Sequence, residues 1–106
     1  TRTVQGTAVS PANLTISESD PYNYGTYAVG SNVDYVFTVS NAGGFIATSM
    51  VEVGLGAPFT FTGGTYPGTA GTCATTLAAG ANCTIQVRFS PSSTGLSTDT
   101  IQMAYN

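Results

Sequence analysis

The residues with the most chemical potential are two cysteines, Cys73 and Cys83, ten positions apart. Two thiols in a chain without histidine are too few for a structural zinc ion, which takes four Cys or His ligands. Their spacing is also not the Cys-x-x-Cys of a thiol oxidoreductase. A disulfide closing an 11-residue loop is the preferred reading, with two buried free thiols as the alternative. The loop-entropy model assigns such a bridge about 2.8 kcal/mol. A disulfide implies an oxidising setting: the extracellular space, a cell surface or a periplasm.

The charged residues come next. The chain of 106 residues has Arg2 and Arg88 as its cations, and Glu18, Asp20, Asp34, Glu52 and Asp99 as its acids, for a net charge of −3. Lysine and histidine are absent, so no His or Lys base is available and no Lys–Asn isopeptide cross-link can form. Two arginines cannot neutralise a phosphate backbone, which argues against nucleic acid as a partner. The negative balance disfavours anionic membrane surfaces. Paired carboxylates such as Glu18 and Asp20 could in principle serve glycoside hydrolysis. Without a tryptophan platform they read instead as solvated charges, and a catalytic Thr1 reads as a chain end. Glu18-Ser19-Asp20 offers hard oxygen ligands for a cation, but no Asp-x-Asp-x-Asp-Gly loop surrounds them, so an ordinary polar loop is expected. A Thr–Gln ester through Gln5, Gln86 or Gln102 has nothing to position it. No catalytic residue, metal or cofactor is expected.

Tyrosines are the remaining candidates. Tyr22, Tyr24 and Tyr27 lie within six residues, with Asn23 between the first two, and Tyr66 stands alone in a Gly/Pro-rich stretch. Exposed aromatics beside amides stack on sugars or anchor protein partners. Tyr22, Asn23 and Tyr66 are therefore the candidate ligand-binding residues, while Tyr24 is expected in the core. Asn13-Leu14-Thr15 and Asn82-Cys83-Thr84 match the glycosylation sequon; both read as incidental.

The elements that must position these residues are strands. Eighteen threonines and ten serines take the places on exposed faces where lysine and glutamate usually stand, and threonine suits strands. Period-2 alternation is clearest in Cys83–Ser90, where Cys83, Ile85, Val87 and Phe89 share one face. Val33–Ser40 points Val33, Tyr35, Phe37 and Val39 inward, with Val36 the exception. Thr100–Tyr105 puts Ile101, Met103 and Tyr105 on one face. Weaker strands are Thr3–Val9, Asn13–Ser17, Tyr24–Val29, Ala47–Val53 and Phe59–Thr62. Leu77–Gly80 reads as a connection, and turn residues separate the runs. Seven to eight short strands over this length indicate an all-β, immunoglobulin-like antiparallel β-sandwich. The cysteines are too close to pin opposite sheets, so the bridge should tie the start of one strand to the loop before it. The chain lacks a run of 18 apolar residues and a signal-peptide pattern. It starts at Thr1 without Met, which suggests a piece of a longer protein.

Three stretches together resemble a known family. Tyr24-Gly25-Thr26-Tyr27-Ala28-Val29-Gly30 is similar to the F-G-x-V-x-V-G opening of ASPM/SPD-2/Hydin-type Ig-like domains. Phe37-Thr38-Val39-Ser40-Asn41-Ala42-Gly43 is similar to their apolar-T-V-x-N-x-G strand and turn. Gly71 to Pro91 resembles the G-T-C-x-x-x-L-x-x-G-x-x-C-T-I-x-V-x-F-x-P segment of bacterial versions, the choice-of-anchor D type. The likeness runs from about Pro11 to Tyr105. It implies a non-enzymatic module, strung in tandem as a spacer or adhesive unit of a bacterial secreted or cell-surface protein. Implied partners are neighbouring modules of the same parent chain, and a surface glycan or protein if the tyrosines bind. Nucleic acid and membrane insertion are not expected. Only one copy of the unit is present. Residues 11–106 form the expected domain, and residues 1–10 a linker or an added edge strand.

Overall fold

Strands form where alternation meets a partner. A computed structural model describes residues 1–106 and contains six strands: β1 (Leu14–Ile16), β2 (Val33–Asn41), β3 (Val51–Val53), β4 (Phe59–Phe61), β5 (Asn82–Phe89) and β6 (Gln102–Ala104). There is no helix. One antiparallel sheet has the order β1-β2-β5-β4, and β3 pairs with β6 in the second. The second layer is extended by a bridge between Ala47 and Leu77, a Met50 N–H to Thr75 carbonyl bond of 2.9 Å, and a reciprocal pair between Thr48 and Asn106.

The long central pair carries the core. β2 and β5 run in register from Val33 opposite Phe89 to Ser40 opposite Asn82. Their alternation sends Phe37, Val39, Cys83, Ile85 and Val87 to the buried face, where they meet Ala47, Met50, Cys73 and Leu77 from the other layer. The outward exception holds: Val36 is exposed. On the outer face the register sets Asp34 directly opposite Arg88, and they form an ion pair of 2.8 Å. Opposite charges facing each other across strands favour this register.

The strand count is lower than the sequence suggests. Thr3–Val9 and Tyr24–Val29 form no ladder, and residues 1–11 and 25–30 are exposed. β propensity describes a surface that fits a sheet, and it makes no strand where no neighbour offers its hydrogen bonds. Thr100–Tyr105 and Ala47–Val53 shrink to three-residue strands for the same reason, since a continuous ladder runs only between β3 and β6 and the other pairings there are isolated.

The sandwich is consequently open on one side. Only 11 of 106 residues are buried, and the accessible surface is 6687 Å². A compact chain of this mass exposes about 5,500 Å². The radius of gyration of 17.3 Å exceeds the ~13 Å of a compact domain, and the molecule is 73 Å long and 23 Å wide. The extended residues 1–10 and the unclosed side account for the excess.

Candidate functional site

The unclosed side is a cleft of about 480 Å³ between the β1 edge of the first sheet and the segment 97–103 leading into the second. Its floor is apolar: Leu14 and Ile16 from β1, Phe37 from β2, Phe59 from β4, and Ile101 and Met103 opposite them. Its rim carries three carboxylates, Glu18, Asp20 and Asp99. The volume lies within the range of small-molecule sites.

Most acids in the molecule already have structural partners. One Glu18 oxygen accepts the Thr38 amide at 2.9 Å, extending the β1–β2 ladder beyond its last backbone pair. Glu52 accepts from the Leu55 and Gln102 amides. Asp99 accepts from the Gly56 amide at 2.6 Å and from its neighbour Thr100 at 2.8 Å, and these N–H groups hold its carboxyl below the usual carboxylate range. Asp34 takes a two-pronged contact from Arg88, Nε at 2.8 Å and an NH2 nitrogen at 3.1 Å, plus the Thr62 hydroxyl. The Arg88 hydrogen bond is the main cause of its lowered pKa, with Thr62 in support. Asp20 alone has no hydrogen-bond partner. No three His, Cys, Asp or Glu side chains lie close enough to hold a metal ion.

The sequence-selected tyrosines sit in two separate packed groups. Tyr22 lines the cleft and is half-buried; its ring stacks on Tyr35 at 4.1 Å and meets Phe37 and Tyr24 edge-on. Asn23 is exposed, and its Oδ1 accepts the Gly25 amide in a local turn. Tyr66 is half-buried; its ring meets Phe61 edge-on at 5.5 Å and its hydroxyl donates to the Ala74 carbonyl at 2.9 Å. Burial raises its pKa. Tyr22 and Tyr66 therefore share no aromatic cluster. Tyr24 packs among Phe37, Phe59 and Phe89, and its hydroxyl donates to the Val87 carbonyl at 2.7 Å. Burial is the main cause of its strongly raised pKa, with Tyr22 and Asp34 adding to it.

Cys73 and Cys83 form a disulfide with Cα atoms 4.8 Å apart. It joins the start of β5 to the loop before it, as the spacing suggested. The loop is also laced down without sulfur: the Thr72 and Cys73 amides donate to the Thr84 carbonyl, and the Thr72 and Thr84 hydroxyls touch at 3.2 Å.

One polar residue with a central role escaped selection as a site. Asn41 is 1% exposed and lies among the largest fully buried side chains. Its Oδ1 accepts the Asn13 and Gly43 amides, and its Nδ2 donates to the Phe45 and Leu77 carbonyls at 2.8 and 3.0 Å. All four hydrogen-bonding positions of the amide are thus filled. It ties the entry to β1, the turn after β2 and the Leu77 connection to one point. The signal was its place on the inward face of the β2 alternation. The cleft residues Leu55, Asp99 and Ile101 had no comparable signal, because they line it only after residues 97–103 pack near β1.

The family model described as HYDIN/CFA65/VesB-like, Ig-like domain matches residues 13–106. Neither the curated proteins nor the solved structures contain a match. No helix is long and apolar enough to cross a membrane.

Proposed function

Because the chain belongs to the HYDIN/CFA65/VesB-like Ig-like domain family, we propose that it is a non-enzymatic structural module of a bacterial secreted or cell-surface protein, of the choice-of-anchor D type. It spaces and presents other parts of its parent, including parts that adhere. The observation that carries this reading is the engagement of four of the five acids: Glu18, Asp34, Glu52 and Asp99 hold backbone or ion-pair contacts that stabilise the sandwich, which leaves Asp20 alone without a contact. A general acid or base must instead keep a free face towards substrate. The Cys73–Cys83 bridge supports the oxidising setting. Fold alone assigns no ligand. The test is binding of the isolated domain to arrays of glycans and surface proteins: a spacer gives no specific signal, and hydrolysis of any arrayed glycan contradicts the reading.

A second reading, recognition of a carbohydrate or protein by Tyr22, Asn23 and Tyr66, draws support from the place of Tyr22 in the cleft wall. Its test is an array signal lost in both Tyr22→Ala and Tyr66→Ala, with folding checked by circular dichroism.

A further inference from the structure

The cleft is the space of a missing strand. β1 pairs only with β2; on its outer edge the Leu14 amide donates to the Tyr105 hydroxyl at 3.1 Å, and no other strand pairs with that edge. Across the cleft, residues 92–100 make no backbone–backbone hydrogen bond, and Leu96 is 94% exposed. The outer side of β1 and the unpaired segment 92–100 thus flank an apolar floor and an acidic rim, a geometry into which an extended segment can add as a strand. Unpaired edges of this kind readily recruit another chain unless something blocks them.

The same molecule carries a segment of matching chemistry. Residues 1–9 make no hydrogen bond to the rest of the chain, and Val4 is 85% exposed. Ten residues extend over about 33 Å. Arg2 and Val4 stand two positions apart, so they share one face of an extended strand. Arg88 is held by Asp34, which leaves Arg2 as the one side-chain cation without an ion-pair partner. The rim provides its counter-charge, with Asp20 unengaged and Glu18 and Asp99 having lone pairs to spare. The arm and the acidic rim also lie at opposite ends of β1. Ser10 accepts the Gly44 amide beside the turn after β2, whereas β1 runs away from that turn towards Glu18. An arm projecting from its own domain in this way meets the cleft of another.

We propose that residues 1–10 of one copy of this chain insert as an added strand into the cleft of a second copy, with Val4 on the apolar floor and Arg2 against the Glu18, Asp20 and Asp99 rim. The chain then forms a dimer when two copies exchange arms, and a head-to-tail series when the contact is not reciprocated.

Sedimentation equilibrium of the 106-residue chain tests this, over roughly 10 µM to 1 mM, the range of weak contacts. The expected result is a mass rising with concentration above the monomer's 10.8 kDa. Val4→Asp should weaken association at least about tenfold, because a buried valine becomes a charge. Arg2→Glu should weaken it roughly two- to fivefold, the scale of an exposed ion pair, and Asp20→Arg combined with Arg2→Glu should restore it. A chain lacking residues 1–6 should be monomeric with an unchanged melting temperature, since those residues make no hydrogen bond to their own domain, whereas the Ser10 carbonyl holds the Gly44 amide. A monomeric full chain overturns the proposal. So does association that survives removal of the arm, which would place the contact on another surface. A melting temperature that falls on removing the arm also overturns it, because the arm would then serve its own cleft.

Discussion

Asn41→Ala probes the joint on which the sandwich most depends. The substitution removes four hydrogen bonds at once. The Leu77 carbonyl retains a second donor, the Ala47 amide at 2.9 Å. The Asn13 and Gly43 amides and the Phe45 carbonyl lose the only partner the structure gives them. Each such group costs about 1 kcal/mol when partly reachable by water, so the three cost about 3 kcal/mol. That is a large share of the ~5–15 kcal/mol stability of a domain this size. At about 2.1 cal/mol/K per residue of unfolding entropy, the melting temperature should fall by about 13 °C. The assay is urea unfolding with the disulfide intact, followed by circular dichroism. Asn41→Asp refines it. One carboxyl oxygen keeps the two amides, but the other faces the Phe45 and Leu77 carbonyls and must carry a proton to bond either. The folded-state pKa is therefore raised above the unfolded value of about 4. Folding then favours the protonated form, so the deficit against wild type is small below pH ~4 and grows as pH rises through the carboxylate range. An alanine variant within about 1 kcal/mol of wild type would refute the reasoning, as would an aspartate variant whose deficit shrinks with rising pH.

Other outcomes follow from single contacts. Reducing the Cys73–Cys83 bridge should cost about 2.8 kcal/mol by loop entropy, read as a lower melting temperature in dithiothreitol that the Cys73→Ala/Cys83→Ala variant no longer shows. Gly68→Ala should destabilise by about 1–3 kcal/mol, because Gly68 has φ +90° and an added Cβ would strike the Gln86 backbone; a neutral result in urea titration would sink it. The lowered Asp34 pKa gives stability that is present above the usual carboxylate range and lost as pH falls through the folded value. Arg88→Gln should return the Asp34 resonance towards an ordinary titration in carboxyl NMR. Tyr24→Phe should cost about 1 kcal/mol by removing the hydrogen bond from its hydroxyl to the Val87 carbonyl, measured in the same urea titration.

Where sequence and structure agree, a local rule had a partner close at hand. The alternation of Cys83–Phe89 and Val33–Val39 identified the two long strands because each supplies the other's ladder. The disulfide followed from spacing, and Leu77–Gly80 forms the connection its length implied. Tyr24–Val29 has the same propensity without a neighbour, and its Gly25 and the Gly30 that follows it both take positive φ. The tyrosines were legible as aromatics but not as a packed cluster, since the Tyr22–Tyr35 stack depends on two segments meeting across the β1–β2 edge. Asn41 was visible only as an odd residue on an apolar face, and its four partners come from segments up to 36 positions away. The cleft left no trace in any single stretch, because its walls are more than 80 positions apart.

A structural module working outside the reducing cytoplasm must carry its bridge closed in the organism. The most direct measurement is thiol trapping: alkylate intact cells at lysis, without reductant, and weigh the peptides containing Cys73 and Cys83. The closed bridge gives a linked peptide pair with no alkyl group on either sulfur. Two alkylated cysteines would contradict the oxidising setting, and with it the reading of this Ig-like domain as a secreted or surface module.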